Sequence, residues 1–211
     1  MNVFKVSNKK IIVIGGGGHS KVVISTLLEL GYNVIGVLDD DINKKNTKVM
    51  GIPILGSIEL LKSGNFEQGI IAIGDNKIRK EILYKFKDFC KWPVVVHPFS
   101  YVHPSVEIGE GTVIFAGAVI QPDVIIGEHV IVNTGVTIDH DCRIGNFVHL
   151  APGVHLAGGV VIGEGSFLGI GSSVIPYKNI GSWAIVGAGG VVIQDIPDFV
   201  KVVGVPAKPI K

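Results

Sequence analysis

The sequence predicts a mixed fold, in which a small Rossmann-like α/β domain (residues 1–97) precedes a parallel β-helix (residues 98–211). Strand-like and helix-like patterns alternate in the first part, as they do in α/β proteins. An aliphatic residue recurs at every sixth position through most of the second part. Glycine is also abundant, at 29 of 211 residues, which suits a chain with many tight corners.

Composition and charge exclude several classes of function. The chain is 47% hydrophobic and carries 19 basic against 18 acidic residues, so its net charge of +1 gives no field that attracts nucleic acid or anionic lipid. The apolar run after Met1–Lys10 is too short for a signal peptide, and no stretch is long enough to insert into a membrane. Two cysteines do not form a secreted disulfide framework. We therefore expect a cytoplasmic protein.

The N-terminal pattern predicts three buried strands and two helices. The strands are Ile11–Gly15, Asn33–Asp40 and Gly69–Gly74, and the helices are His19–Leu30 and Lys77–Phe89. The second helix has one apolar face, formed by Ile78, Ile82, Leu83, Phe86 and Phe89. This βαβ order predicts a parallel sheet with a ligand at the carboxyl ends of its strands.

A glycine-rich loop follows the first predicted strand. Gly15–Gly18 leads into His19, where backbone N–H groups can approach a phosphate at a helix N-terminus. Asp39 and Asp40 close the second strand, where a ribose-binding acid is expected. Ser20 replaces the third glycine of the dinucleotide fingerprint, so a mononucleotide or nucleotide sugar fits better. The alternative is that the glycines only form a tight turn.

The second part carries a strict six-residue repeat. The aliphatic positions are Val102, Ile108, Ile114, Ile120, Ile126, Val132, Ile138, Ile144, Leu150, Leu156, Ile162, Leu168, Val174, Ile180, Val186 and Val192. A second set, four residues later, is mostly small or β-branched: Val106, Thr112, Ala118, Val124, Val130, Val136, Cys142, Val148, Val154, Val160, Ser166 and Ser172, with Lys178 as the exception. Glycine often follows the aliphatic residue, at Gly109, Gly127, Gly145, Gly163, Gly169, Gly181 and Gly187, and we expect the chain to bend there.

A period of six is neither helical nor that of a simple strand, so it predicts a short strand, a corner and another short strand. Three such units make a triangular coil of 18 residues whose aliphatic positions stack into one core. Sixteen units give roughly five coils and, at about 4.8 Å per coil, a prism about 25 Å tall.

Histidine is the informative residue type on this scaffold. His140, His149 and His155 lie outside both inward sets, so they face corners or solvent. Asp141 can orient the imidazole of His140 and raise its basicity, as general-base catalysis requires. Residues 18 apart stack, which places the backbone amide of Gly158 above His140 as a donor to a developing oxyanion. The alternative is that His140 is an ordinary surface histidine.

Three histidines also raise the alternative of a zinc site, since γ-class carbonic anhydrases hold zinc on a similar helix. His149 and His155 are six residues apart, which places them on successive faces of the triangle rather than side by side. We therefore expect no metal.

Several motifs together resemble a known family, the bacterial sugar acyltransferases with left-handed β-helices. The motifs are Ile14–His19, Ile71–Asn76 before Arg79, Asn133 with His140–Cys142, and Gly204–Lys208. The family includes nucleotide-sugar N-acetyltransferases of the bacillosamine and perosamine pathways and sialic acid O-acetyltransferases. The left-handed coil is implied only by this resemblance, because ordinary crossovers between parallel strands are right-handed.

The resemblance implies a homotrimer that uses acetyl-CoA, with active sites between neighbouring prisms. His140 matches the general base and Asp141 the acid beside it, where some relatives carry Glu. The positions that match the nucleotide-sugar site are Gly17, Gly18, His19, Asp39, Asp40, Gly74, Asp75 and Arg79, with Asp75 replacing a family Asn. The positions that match the acetyl-CoA cleft are Asn133, His149, Gly158, Ile170, Gly187 and Lys208.

The functional hypothesis is acetyl transfer from acetyl-CoA to the 4-amine of a nucleotide-linked 4-amino-4,6-dideoxy sugar, with His140 as base. O-acetylation of a sialic acid or related sugar is the alternative within enzymes. The alternative outside enzymes is a trimeric scaffold that only senses a nucleotide. The residues do not identify the sugar, the nucleotide base, the pathway or whether an acyl group other than acetyl is used.

Overall fold

The computed structural model describes residues 8–210, which form two compact units divided along the chain between Pro98 and Phe99. Part of the segment Met1–Lys10, which we expect not to be a signal peptide, lies outside the described residues. Within residues 8–210, no helix is long and apolar enough to cross a membrane.

The first unit is built around a five-stranded sheet with the strand order β3-β4-β2-β1-β5. Its elements are β1 (Lys10–Ile14), α1 (Gly18–Glu29), β2 (Asn33–Leu38), a 3-10 helix (Ile42–Lys44), β3 (Lys48–Val49), β4 (Ile52–Gly56), a second 3-10 helix (Ile58–Lys62), β5 (Gly69–Ile71), α2 (Asn76–Phe86) and β6 (Val95–Val96). The pairs that join β1, β2, β4 and β5 are parallel, and β3 pairs antiparallel with β4. The three predicted strands and two helices are therefore confirmed, although several ends differ and the β3–β4 hairpin was not predicted.

The predicted apolar face of α2 is only partly buried. Ile82, Leu83 and Phe86 are buried, but Ile78 is 46% exposed and Phe89 is 41% exposed. The prediction was wrong for Phe89 because the helix ends at Phe86, so the helical spacing no longer applies. Ile78 lies on the predicted face, where it lines a cavity together with Ile82 and Phe86.

The second unit begins with sixteen two-residue strands. They are β7 (Tyr101–Val102), β8 (Glu107–Ile108), β9 (Val113–Ile114), β10 (Val119–Ile120), β11 (Ile125–Ile126), β12 (Ile131–Val132), β13 (Thr137–Ile138), β14 (Arg143–Ile144), β15 (His149–Leu150), β16 (His155–Leu156), β17 (Val161–Ile162), β18 (Phe167–Leu168), β19 (Ser173–Val174), β20 (Asn179–Ile180), β21 (Ile185–Val186) and β22 (Val191–Val192). Two further strands, β23 (Lys201–Val203) and β24 (Lys208–Pro209), close the unit and pair antiparallel with each other.

These strands stack into three parallel sheets, one on each face of a triangular coil. Sheet I contains β7, β10, β13, β16, β19 and β22; sheet II contains β8, β11, β14, β17 and β20; and sheet III contains β9, β12, β15, β18, β21 and β23. Paired residues differ by 18 from β7 to β22, as in Thr137↔His155 and Arg143↔Val161. This confirms the predicted parallel β-helix and its 18-residue coil.

The second residue of each strand from β7 to β22 belongs to the predicted aliphatic core. Fourteen of these sixteen side chains are buried, and Val102 and Ile108, in the first coil, are partly exposed. Lys178, the exception in the other inward set, is also partly exposed. It follows Val160 by one coil step, and a lysine there can bury its aliphatic stem while its ammonium group reaches water.

The glycines that follow the aliphatic residues are required for a different reason from the one we expected. The chain bends two residues after each of these glycines; Gly111, for example, which follows Gly109 by two residues, has a φ of +68°. A Cβ on Gly109 or Gly163 would lie 2.5 Å from backbone atoms of the next coil. These glycines are therefore needed because successive coils approach each other closely at this corner, not because the chain bends there.

Removal of a core side chain should destabilise the β-helix. Leu150→Ala deletes a fully buried side chain and should lower the free energy of unfolding by about 2 to 5 kcal/mol, because stacked coils cannot collapse around the cavity. Val161→Ala, at a site 38% exposed on β17, should change it by about 0.5 kcal/mol or less. Denaturant unfolding at one protein concentration checks both variants, and equal losses would contradict the assigned facing of the strands.

Candidate active site

His140 and Asp141 lie at the corner where the chain passes from sheet I to sheet II, between β13 and β14. The Nδ1 atom of His140 is 2.7 Å from Oδ2 of Asp141. Asp141 has a φ of +62°, a left-handed conformation that aspartate tolerates better than most residues. The two side chains are 51% and 65% exposed, so a ligand can reach the imidazole.

This contact selects the tautomer and the basicity of His140. An ionised carboxylate only accepts hydrogen bonds, so Nδ1 of His140 donates to Asp141 and Nε2 keeps the lone pair that a base needs. The hydrogen bond with Asp141 raises the pKa of His140 above its usual value, and the charges of Asp139 and Asp141 act in the same direction. Asp139 also accepts the backbone N–H of His140 at 2.8 Å.

Gly158 lies over the imidazole, as the 18-residue spacing predicted. A Cβ on Gly158 would be 2.6 Å from Cε1 of His140, so only glycine leaves the ring its place. Gly159 anchors the same corner by donating its N–H to the carbonyl of His140 at 2.9 Å. Within residues 8–210 the Gly158 N–H has no hydrogen-bond acceptor, so it can donate to a ligand oxygen next to His140.

The residues expected in the acetyl-CoA cleft are divided between two edges of the prism. Asn133, Ile170 and Gly187 lie on the edge between sheets III and I, whereas Gly158 lies on the edge between sheets I and II. Ile170 is 62% exposed. Lys208 is an exposed residue of β24. One chain therefore does not bring all of these residues together.

His149 and Asn133 form a direct pair. Nε2 of His149 is 3.4 Å from Nδ2 of Asn133, and the imidazole meets the ring of Phe167 edge-on at 5.2 Å. The side chain of Asn133 in turn accepts the N–H of Thr134 at 2.9 Å. Side-chain contacts thus hold Asn133 and His149 at this corner.

In the first unit, the glycine-rich loop connects β1 to the N-terminus of α1. Gly15 needs its φ of +98°, and Gly16 donates its N–H to Oδ2 of Asp39 at 2.6 Å. Gly17 and Gly18 are exposed, and a Cβ on either would meet no atom within 4 Å. Gly17 is the N-cap of α1 and provides no side-chain cap, so the first N–H groups of the helix face an open surface that suits an anion.

Asp39 and Asp40 follow β2 and hold the surrounding loops. Burial alone would raise the pKa of Asp39, but hydrogen bonds from Lys44 and two backbone N–H groups lower it below its usual value. Asp40 accepts the N–H of Ile58 at 2.8 Å. Both carboxylates line a cavity of about 360 Å³, together with Gly15, Ile73, Ile78 and Phe86. A second cavity, of about 340 Å³, shares the two aspartates and extends toward Leu55 and Leu60.

Arg79 and Asp75 organise the loop after β5. Arg79 is 1% exposed and donates to the carbonyls of Ile73 and Gly74, at 3.0 and 3.4 Å. Asp75 accepts the first N–H groups of α2, from Lys77 and Ile78, so its carboxylate acts as a helix cap. The structure therefore places Arg79 beneath the loop that carries Gly74, rather than at the surface.

The charge of the buried Arg79 side chain also affects the pKa of His19. Desolvation by burial lowers the pKa of Arg79 to about 9, and the charge of Asp75 opposes that change. Burial, together with the charge of Arg79, lowers the pKa of His19 to about 4. His19 is therefore neutral at physiological pH.

The alternative of a zinc site gains no support from the histidines. His149 lies on sheet III and His155 on sheet I, where Nδ1 of His155 is 2.8 Å from the hydroxyl of Thr137. In the part of the chain that the structure describes, no three or more His, Cys, Asp or Glu side chains are grouped as metal ligands.

Comparison with known proteins identifies both units. Residues 10–86 match the PglD N-terminal domain, and residues 106–140 match the bacterial transferase hexapeptide repeat. A mutant of perosamine N-acetyltransferase from Caulobacter crescentus, solved with CoA and GDP-perosamine, is 43% identical over 96% of this chain and 97% of that chain, with a TM-score of 0.91. The chain belongs to the hexapeptide-repeat sugar N-acetyltransferases.

Two further members of this family show the same relation. The acetyltransferase domain of PglB from Neisseria gonorrhoeae, solved with acetyl coenzyme A, is 41% identical over 97% of this chain and 100% of that chain, with a TM-score of 0.91. UDP-N-acetylbacillosamine N-acetyltransferase from Bacillus subtilis is 39% identical over 115 residues, which are 51% of this chain. The chain spans 52% of the length of this Bacillus subtilis protein and 21% of the length of the other curated relative that it matches. The family fold is the left-handed β-helix expected from the resemblance.

Two residues of the His140 corner were missed by the sequence reasoning. Asp139 was not considered, although it stands directly before His140 and accepts its N–H. Tyr177 follows Asp141 and Gly159 in the 18-residue series, and its ring lies against Gly159. The same 18-residue arithmetic, started from Asp141 instead of His140, gives Gly159 and then Tyr177.

The carboxylate of Asp141 should control the protonation of His140. In Asp141→Asn the charged acceptor is lost, so the pKa of His140 should fall toward its usual value. Because the neutral imidazole is the proposed base, the rising limb of kcat/KM against pH should move to lower pH. NMR titration of the imidazole and the pH–rate profile measure the two effects.

Asp123→Asn is the matched control, since Asp123 occupies the same corner position one coil earlier and also has a φ of +62°. This variant should leave the pKa of His140 unchanged. An unchanged His140 pKa in Asp141→Asn would contradict the assigned contact.

Proposed function

We propose that the protein transfers the acetyl group of acetyl-CoA to the 4-amine of a nucleotide-linked 4-amino-4,6-dideoxy sugar, and that it does so as a homotrimer. The observation that carries this proposal is the His140–Asp141 pair next to Gly158, whose N–H has no hydrogen-bond acceptor within residues 8–210. A base and an oxyanion donor side by side are what acyl transfer to an amine requires. The sugar and the base of the nucleotide are left unassigned.

The proposed chemistry uses two groups of the site, the imidazole of His140 and the N–H of Gly158. The neutral amine attacks the thioester carbonyl carbon, and Nε2 of His140 takes the proton that the amine loses as the C–N bond forms. The N–H of Gly158 donates to the carbonyl oxygen while it carries negative charge. The C–S bond then breaks, and CoA leaves as a thiol with the proton returned by His140.

Transfer to an amine is favoured over transfer to a hydroxyl by the first unit and by the relatives. The open N-terminus of α1, with Gly17 and Gly18 exposed, suits the diphosphate of a nucleotide sugar. The three relatives reported above are named as N-acetyltransferases of perosamine or bacillosamine or as the PglB acetyltransferase domain. Nucleotide binding would favour N-acetylation, and indifference to nucleotides would favour O-acetylation of a sialic acid type sugar.

The division of the expected donor residues between two edges supports the trimer. If a neighbouring prism supplies the edge with Asn133, Ile170 and Gly187, the cleft beside Gly158 is completed between two chains. A non-catalytic scaffold would not need the base that His140 and Asp141 provide. Both proposed substrates are soluble metabolites, so we also propose a cytoplasmic enzyme.

Replacement of the proposed base should remove most of the turnover. His140→Ala should lower kcat by about 10²- to 10⁴-fold, while acetyl-CoA binding and assembly persist because the side chain is exposed. Steady-state assays with GDP-linked and UDP-linked 4-amino-4,6-dideoxy sugars measure the loss. Light scattering should give three times the 22.4 kDa chain mass for both proteins.

His155→Ala is the control, because it removes another exposed histidine of the same prism that contacts Thr137. It should retain turnover. Near-normal turnover of His140→Ala at saturating substrate would overturn the mechanism, and a monomeric mass would overturn the trimer.

The exposed glycines should matter to the ligand and not to the fold. Gly17→Ala and Gly18→Ala add a methyl group where the protein leaves open space, so Tm should hold. The KM for the nucleotide sugar should rise by about tenfold, equivalent to ~1.4 kcal/mol, and the KM for acetyl-CoA should stay the same.

Gly15→Ala provides the contrast, because its φ is +98° and its Cβ would lie 2.6 Å from Ile73. It should lower Tm in a thermal melt. If the KM for the nucleotide sugar is unchanged in both Gly17→Ala and Gly18→Ala, the diphosphate does not bind at this loop.

A further inference from the structure

Tyr177 is an exposed aromatic residue in a backbone conformation that tyrosine rarely adopts. Its φ is +57°, in the left-handed region that favours glycine, and 71% of the residue is exposed. A bulky side chain there costs free energy and persists only where the surrounding structure enforces it. Such strain is concentrated at functional sites, and it requires a reason in this chain.

Two other aromatic residues in this conformation, His129 and Phe147, have a packing role, whereas Phe199 is exposed as Tyr177 is. On the edge between sheets II and III, His129 and Phe147 have φ values of +51° and +59° and are 1% and 2% exposed. Their rings stack with centroids 5.9 Å apart. Tyr177 lies on the other edge, between sheets I and II, where burial does not account for its ring.

The ring of Tyr177 and the ring of His140 approach the same corner from opposite sides. A Cβ on Gly158 would be 2.6 Å from the imidazole of His140, which belongs to the preceding coil. A Cβ on Gly159 would be 2.5 Å from Cδ1 of Tyr177, which belongs to the following coil. The two glycines are adjacent, with Cα atoms about 3.8 Å apart, so the two rings lie near the two ends of the peptide that joins Gly158 to Gly159.

The backbone of Tyr177 also secures this corner. Its N–H donates to the carbonyl of Gly158 at 3.0 Å, just as the N–H of Gly159 donates to the carbonyl of His140 at 2.9 Å. The bond holds the peptide that joins Gly158 to Gly159, and with it the place of the ring. The phenol side chain is therefore held at the corner while most of its surface faces solvent.

We propose that the ring of Tyr177 is a donor-binding contact that borders the acyl thioester of acetyl-CoA. The inference rests on the proposed function. Along this edge the order is His140, which takes the proton of the amine, then Gly158, which faces the thioester oxygen, then Tyr177. The ring therefore contacts the donor on the side of the thioester remote from the amine and does not contact the sugar.

The test removes the ring and keeps the backbone conformation. Tyr177→Asn places a residue that tolerates positive φ at the same site, and titration calorimetry with acetyl-CoA in the absence of sugar measures binding. The dissociation constant for acetyl-CoA should rise by about five- to tenfold, the KM for the sugar nucleotide should stay within about twofold, and Tyr177→Phe should bind as the wild type does. Tyr177→Gly should give the same loss and replaces Tyr177→Asn if that variant does not fold.

Phe199→Asn is the matched control. Phe199 has a φ of +61°, is 74% exposed and follows the same corner pattern on the edge between sheets II and III. This variant should bind acetyl-CoA normally and have the same mass as the wild type by light scattering.

The outcomes separate this inference from the function on which it rests. If the wild type binds acetyl-CoA and the Tyr177 variants bind it equally well, the donor contact is wrong and the enzyme assignment is unaffected. If Tyr177→Asn and Phe199→Asn lose the same affinity, the effect belongs to aromatic corners in general and the inference is also wrong. If the wild type does not bind acetyl-CoA, the proposed function itself fails.

Discussion

The structure of the second unit depends on one constraint, the parallel pairing of each two-residue strand with the strand 18 positions later. Because backbone hydrogen bonds keep this spacing through five coils, a residue at a corner must lie next to the residue 18 positions away. The stacking that buries the aliphatic core therefore also aligns the corners. His140 meets Gly158, and Gly159 meets Tyr177, for the same reason that Ile138 meets Leu156.

Glycine has three distinct uses in this chain. At Gly111 and its equivalents it supplies a positive φ, and at Gly109 and its equivalents it lets the backbones of adjacent coils approach closely. At Gly17 and Gly18 neither reason applies, since a Cβ would enter open space. Under the proposed function, a ligand that approaches the backbone of the loop would account for those two residues.

The polar residues of the first unit are mostly committed to the protein itself. Asp39 accepts hydrogen bonds from Lys44 and from the N–H of Gly16, and Asp40 accepts one from the N–H of Ile58. Arg79 is buried against the loop after β5. These groups hold the loops that form the cavities and the glycine-rich loop. If a nucleotide sugar binds there, as proposed, they would affect its binding through the positions of these loops.

The sequence by itself determined the β-helix, the 18-residue coil, the βαβ core and the pairing of His140 with Asp141 and Gly158. Each of these depends on spacing along the chain, and spacing is readable when the structure repeats or when the partners are adjacent in sequence. Only the tertiary structure decided that Arg79 is buried, that Ile78 and Phe89 are exposed, and that Tyr177 is 71% exposed at its corner. Burial and ring placement depend on which atoms from distant parts of the chain occupy the surrounding space, and no local pattern contains that information.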